Sequence, residues 1–268
     1  MKRTRLPLRA AIRDAGLDWI VPDWPAPAEI GALVTTRHGG PGTGAQASMN
    51  LGRDGDHEPA ALAANRHRLD AFLPATPVWL DQVHGTAVAT LDRVPAPDAP
   101  PPIADAAVTR ERGIVCAVLT ADCLPVLFAE RRGNAVGIAH AGWRGLAAGI
   151  VESTVAAMRG LGAQPRDLLA WLGPGIGPEA FEVGGEVHAA FCDCDPAAAS
   201  CFVPHGPGKW RADLAGLARR RLAAAGVPHV SGGDYCTYRD ATRFFSYRRE
   251  RATGRMAALV WRAALAPP

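Results

Sequence analysis

The chain has 268 residues, 48% of them hydrophobic and 21% charged, with a formal net charge of +3. That length can bury a sizeable core, and the balanced charge gives no case for a nucleic-acid partner. No apolar run reaches the length of a membrane span, and Met1-Lys-Arg-Thr-Arg-Leu-Pro7 is not followed by an apolar segment, so neither membrane nor secretory signal is expected and the cytoplasm is the default location.

In chain order, Gly31-Ala-Leu-Val-Thr-Thr36 is β-rich and runs into a glycine-rich loop through Gly44. Asp56 is the expected N-cap of a helix carrying Leu62, Leu69, Phe72 and Leu73. Residues 77–80 and 86–91 read as short strands, and the Pro/Ala-rich stretch 94–102 as a loop. Three apolar runs follow at 113–119, 124–129 and 135–139, the last two separated by the turn signal Glu130-Arg-Arg-Gly-Asn134. Continuous apolar runs of this length predict strands buried on both faces. A helix is predicted from near Arg144 through Leu146, Ile150, Val151, Val155 and Met158. Residues 168–172 read as a strand, 184–191 and 211–225 as helices, and 256–261 as a final strand. Strands and helices intersperse without strict alternation, which predicts one α+β domain over residues 1–268 with a mixed central sheet. Residues 1–25 read as a loosely attached N-terminal extension.

Lysine occurs only at Lys2 and Lys209, the other basic residues being arginine. Arginine runs such as Arg219-Arg-Arg221 therefore carry little weight beyond a solvated helix face. Of the six cysteines, Cys116 sits in an apolar run and reads as a small core residue. Cys192, Cys194 and Cys201 lack a histidine at zinc-site spacing and read as loop thiols.

The chemistry concentrates elsewhere. Thr120-Ala-Asp-Cys-Leu-Pro-Val-Leu-Phe128 and Ala139-His-Ala-Gly-Trp-Arg-Gly145 place Cys123 and His140 at the two ends of an apolar hairpin-like segment, and Asp81-Gln-Val-His-Gly85 adds His84 beside another apolar run. Such runs need neither Cys nor His for packing. The set reads either as a Cys-His nucleophile pair or as ligands of a soft-to-borderline metal, with one coordination position open as in catalytic zinc sites.

These segments, together with Thr35-Thr-Arg-His-Gly-Gly40, Met49-Asn-Leu-Gly52, Ala104-Asp-Ala106, Gly173-Pro-Gly-Ile-Gly177, Asp234-Tyr-Cys-Thr-Tyr238 and Phe244-Phe-Ser-Tyr-Arg248, run in order over nearly the whole chain. The set resembles the YfiH-type family, whose members are described both as multicopper polyphenol oxidases with a laccase domain and as purine nucleoside phosphorylases. The resemblance implies a single layered α/β/β/α-like domain, with mixed sheets flanked by helices, and zinc ligands at His84, Cys123 and His140. It also implies phosphorolysis of adenosine, inosine, guanosine and methylthioadenosine, with adenosine deamination beside it. Zinc-bound water has a pKa lowered towards about 7 and suits attack on the purine. Copper would accept the same donors, but a laccase needs several copper centres, and the eight histidines contain no His-x-His pair.

The expected partners are small molecules, a nucleoside and phosphate. Arg37 and Arg144 are the candidate phosphate ligands, Arg144 at a helix start. Asn50 is placed against a ribose or base edge, or as a turn cap. Asp122 orients a ligand histidine, binds the sugar, or simply holds a turn. Phe244, Phe245 and Tyr247 either stack on a purine or pack in the core. The turn at Gly173–177 is expected to line the pocket. Two further readings stay open. One is a cysteine hydrolase or amidase, with Cys123 as nucleophile and His140 as base, to which the family's kinship attaches a role in cell-wall precursor editing. The other is a binding protein for a regulatory ligand.

Overall fold

Strands whose residues are apolar at every position can be buried on both faces, and this chain uses that property to stack layers. In the computed structural model the described residues are 5–53, 58–96 and 99–264. The elements are α1 (Arg5–Asp14), β1 (Ile30–Val34), α2 (Pro59–Asp70), β2 (Val88–Thr90), β3 (Ala106–Thr109), β4 (Val115–Thr120), β5 (Leu124–Glu130), β6 (Val136–Ala141), α3 (Trp143–Ala148), α4 (Ile150–Gly160), β7 (Leu168–Leu172), β8 (Glu182–Gly184), α5 (Gly185–Cys192), β9 (Phe202–Pro204), β10 (Lys209–Ala212), α6 (Leu214–Ala224), β11 (His229–Gly232), α7 (Tyr247–Glu250) and β12 (Met256–Arg262).

The strands form a mixed six-stranded sheet in the order β11-β7-β5-β6-β3-β2, a sheet β1-β12-β4 and a small sheet β8-β10-β9. β11 and β2 pair in parallel at the two edges of the large sheet, and its inner pairs are antiparallel. Alternation assigns the faces. Along β5, Val126 and Phe128 join the cluster formed with Leu146, Ile150, Val155 and Leu217 of the helices. Leu127 and Ala129 point the other way and meet Cys116, Val118, Ala258 and Val260 of the second sheet. The far face of that sheet, through Val115, Ala117, Ala257 and Leu259, is covered by Ile12, Leu17, Trp19, Met49, Leu51 and Leu69. The order is helices, sheet, sheet, helices. Each fully buried Leu or Phe stabilises this stack by about 1.5–3 kcal/mol.

The apolar runs at 124–129, 135–139, 168–172 and 256–261 are strands, as their patterning predicts. Other expectations need correction. Residues 77–80 form only an isolated bridge, Val78 with Cys116. The helix near Arg144 is two helices, because Gly149 adopts a left-handed φ of 104° between α3 and α4. Residues 211 and 212 leave the predicted helix to join β10, and the Asp213 side chain caps α6 by accepting from the Gly216 amide. Asp56 lies outside the described residues; Glu58 occupies the position before α2. Residues 12–24 are not a loose extension, since Ile12, Leu17, Trp19, Ile20, Val21 and Trp24 are buried and Ile20 bridges Val34. Among the described residues no helix is long and apolar enough to cross a membrane.

Candidate functional site

β4 and β5 belong to different sheets, so the turn between them crosses from one layer to the other. Asp122 in this turn has a φ of 91°, a conformation costly for a residue with a Cβ. Three hydrogen bonds hold it: its carboxylate accepts from Thr237 Oγ1 at 2.6 Å, Ser246 Oγ at 3.0 Å and the Arg248 amide at 2.7 Å. Cys123 follows, half-buried at the mouth of a cleft. His140 lies near the end of β6, in register with Pro125 of β5. His84 comes from the loop after residue 81, with a φ of 59°.

Asp105, immediately before β3, organises both imidazoles. Its fully buried carboxylate accepts the backbone amides of Val83, His84 and Gly85 at 3.1, 2.9 and 2.7 Å. Those bonds fix the left-handed turn that presents the His84 ring. The same carboxylate takes the Nδ1 proton of His140 at 2.9 Å, leaving His140 Nε2 for the cleft. A carboxylate behind a histidine in this way sets tautomer and ring orientation at metal sites. Burial alone would raise the Asp105 carboxyl, but the hydrogen bonds from His140 and from the Gly85 and His84 amides hold it below its ordinary value.

One donor atom from each of His84, Cys123 and His140 lies within 4.8 Å of the others. Cys123 Sγ is 3.7 Å from His84 Nε2, and the two imidazole centroids are 4.8 Å apart. Burial would push the Cys123 thiol up, yet the charge and hydrogen bond of His140, with a lesser contribution from His84, bring it down to about 6. Burial would lower His140, but the Cys123 thiolate and the Asp105 hydrogen bond raise it to about 9. The pair therefore favours a thiolate beside an imidazolium, and the thiolate is the form that ligates metals or attacks carbonyls. Space is tight: a Cβ at Gly142 would sit 2.9 Å from both Cys123 Sγ and His84 Cδ2.

The trio opens onto a cleft of about 780 Å³, bordered also by Trp79, Ile176, Phe181 and Tyr247. Six arginines line it too: Arg53, Arg66, Arg144, Arg248, Arg251 and Arg255. Arg144 is exposed, with its guanidinium 4.4 Å from the centre of the Trp143 ring. Ile176 brings the turn at 173–177 to the cleft, its amide donating to the Asp122 carbonyl at 2.9 Å.

Three predicted substrate contacts are not brought to this cleft. Arg37 is used internally: it pairs with Glu250 at 3.1 Å, donates to the Ala47 and Ala241 carbonyls and lies over the Phe245 ring. Asn50 caps a turn, its Oδ1 accepting the amides of Gly52 at 2.9 Å and Arg255 at 2.8 Å, and it borders a neighbouring cavity of about 530 Å³. Phe245 is fully buried with Phe244 between the sheets; of that motif's aromatics, Tyr247 faces the cleft. Asp122 borders the cleft, but the carboxylate that orients His140 is Asp105. Sequence reasoning missed Asp105 and five of the cleft arginines. The signal for Asp105 was an acid at the start of an apolar strand, in Ala104-Asp-Ala106. Cys192, Cys194 and Cys201 are free thiols outside any three-ligand cluster among the described residues. Cys116 is a buried core thiol pushed up to about 12 by desolvation.

The family described as multi-copper polyphenol oxidoreductase laccase matches residues 31–263. The chain is 51% identical over 246 residues to a Pseudomonas aeruginosa protein named purine nucleoside phosphorylase PA4543, covering 91% of this chain and 98% of that one. It is 50% identical over 244 residues to the Escherichia coli purine nucleoside phosphorylase YfiH, covering 90% and 98%. Among solved structures, the Neisseria meningitidis protein NMB0706 superimposes with a TM-score of 0.85 at 45% identity, covering 92% of this chain and 100% of that one. YlmD from Geobacillus stearothermophilus gives a TM-score of 0.82 at 33% identity, covering 88% and 93%. Sequence, fold and the ordered motifs agree, and the chain belongs to the YfiH family, the laccase-type multi-copper polyphenol oxidoreductase family of the matching description.

Proposed function

We propose that this protein is a zinc-dependent purine nucleoside phosphorylase. The observation that carries the reading is the convergence of His84, Cys123 and His140 within 4.8 Å at the head of an arginine-walled cleft. Relatives about half identical along nearly their full length, and named purine nucleoside phosphorylases, support it. Two imidazoles and a thiolate suit zinc, with Asp105 fixing the tautomer of His140. The same donors would accept copper. Among the described residues, however, no other three-ligand cluster exists to build a multicopper centre. When bound, zinc supplies Lewis-acid polarisation at this end of the cleft.

In the reaction, a phosphate oxygen forms a bond to C1′ of the nucleoside as the C1′–N bond breaks. The electron pair of the broken bond goes to the purine, which takes up a proton. The chain's part is to hold a phosphate dianion and a nucleoside together against desolvation, and the cleft's guanidinium groups do this for the phosphate. Adenosine, inosine, guanosine and methylthioadenosine are the proposed substrates. Adenosine deamination, in which water forms a bond to C6 of the purine as the C6–N bond breaks and ammonia leaves to give inosine, is proposed for the same cleft.

The test is metal analysis of untagged protein purified without oxygen, paired with adenosine and phosphate product analysis. About one zinc per chain and phosphate-dependent ribose 1-phosphate are expected. Protein that is metal-free yet fully active, or that releases adenine without phosphate, would contradict the reading.

A second reading has its own observation: the Cys123 thiolate, the His140 imidazolium and the Asp105 carboxylate behind it form a nucleophile arrangement of the cysteine hydrolase type. An amidase of that kind keeps its activity under chelation and loses it on thiol alkylation, the reverse of what chelation does to a zinc enzyme.

A further inference from the structure

Arg66, on α2, stands apart from the other cleft cations. It is half-buried, stacked with its guanidinium carbon 4.5 Å from the centre of the Trp79 ring, and tied by one donor to the Leu51 carbonyl at 3.0 Å. Its Nε is buried with no protein partner. Among the described residues it makes no ion pair with a carboxylate. Arg53 lines the same cleft, and burial with the Arg53 charge lowers the Arg66 pKa to about 10 against the smaller opposing pull of Asp70. Two guanidinium groups lining one cleft, one of them stiffened by an aromatic ring and a carbonyl and left with a buried, unpartnered Nε, place like charge there at a cost to the free protein. That cost is relieved when an oxyanion enters between them, because a planar fork accepts phosphate oxygens in two parallel bonds. Arg37, by contrast, already has Glu250 and backbone carbonyls to satisfy it.

We propose that Arg66, supported by Arg53, is the anchor of the oxyanion subsite in the cleft and that this subsite takes inorganic phosphate. The inference rests on the phosphorylase reading for its ligand, but it concerns different residues from the metal set. Trp79 fixes the guanidinium plane and Arg53 adds the second charge. The subsite thus selects a dianion over a neutral co-substrate such as water.

The experiment measures inorganic phosphate binding by titration calorimetry and the phosphate KM of adenosine phosphorolysis. It compares wild type, Arg66→Leu, Arg66→Lys and Arg53→Leu, each first checked for an unchanged unfolding temperature. Arg66→Leu should weaken phosphate about tenfold or more in both measurements, the loss expected for a charge-assisted contact, while the adenosine KM moves about twofold or less. Arg66→Lys should recover part of the loss, since it restores the charge but not the fork. If Arg66→Leu does not fold, Arg53→Leu carries the test, with a smaller loss in the same direction. Unchanged phosphate Kd and KM in a folded Arg66 or Arg53 variant overturn the subsite while leaving phosphorolysis standing. A wild-type chain that binds phosphate through Arg66 but forms no ribose 1-phosphate overturns the phosphorylase reading and leaves the subsite standing.

Discussion

Two sets of charged groups at the cleft are built on opposite principles. In one, the carboxylates are matched: Asp105 accepts from three backbone amides and one imidazole, and Asp122 accepts from two hydroxyls and an amide. In the other, Arg53, Arg66, Arg144, Arg248 and Arg251 border the cleft with no ion-pair partner among the described residues. The first set is held rigidly because its polar groups are satisfied within the protein. The second leaves guanidinium groups available to an anionic ligand. A set paired internally can position chemistry, whereas an unpaired one can receive a ligand.

The comparison breaks most severely at the metal set. Replacing Cys123 or His140 by alanine should abolish both metal retention and phosphorolysis, read by metal analysis and product formation. If the proposed deamination ran at full rate in Cys123→Ala, the two reactions would not share one site. Next in size is Asp105→Asn. It keeps the shape but loses the charge that fixes the His140 tautomer, so metal affinity should fall about 10–100-fold. An unchanged affinity would make Asp105 a fold residue alone. Gly142→Ala comes third. Its Cβ would press on Cys123 Sγ and His84 Cδ2 at 2.9 Å, and overpacking of that kind costs about 1–3 kcal/mol. The variant should bind metal more weakly while its unfolding temperature shifts by only a few degrees, about what such a cost implies.

The smallest effect on catalysis is expected at Arg37, which belongs to neither set and does not line the cleft. Arg37→Ala should leave the phosphate KM unchanged and cost about 1.5–3 kcal/mol of stability in denaturant unfolding, as a lost charged hydrogen bond does. Its pH dependence has a definite sign. Burial would raise the Glu250 carboxyl, but hydrogen bonds from Thr253, Arg249 and Arg37 hold it below its ordinary value. A depressed folded value means the contribution is complete above the unfolded value of about 4.3 and is lost as pH falls through the lower folded value. The stability gap between wild type and Arg37→Ala should therefore be full at neutral pH and close in acid. A gap that widened in acid would remove Glu250 from the explanation.

Patterning exposed much of the fold, because β5, β6, β7 and β12 are long enough and apolar enough to announce themselves. β3, β9 and β11 are only three or four residues long, too short for a period to show. The candidate metal set was legible in Cys123, His140 and His84, since each breaks an apolar context with a ligating atom. Of the cleft arginines only Arg144 was legible, at a predicted helix start. Arg53 and Arg66 lie far along the chain from Arg248 and Arg251, and in an arginine-rich composition nothing local separates these cleft arginines from one like Arg37 that is consumed internally. Phe245 misled for the opposite reason, as an aromatic beside a motif packs as readily into a sheet interface as against a ligand.

The most direct test of the central claim is a zinc titration of metal-free protein with phosphorolysis of adenosine as the readout. The account predicts no activity without metal, a linear rise with added zinc, and saturation at about one equivalent per chain, lost in His84→Ala. Phosphorolysis that is present before zinc is added, and does not change as zinc is titrated in, would contradict it.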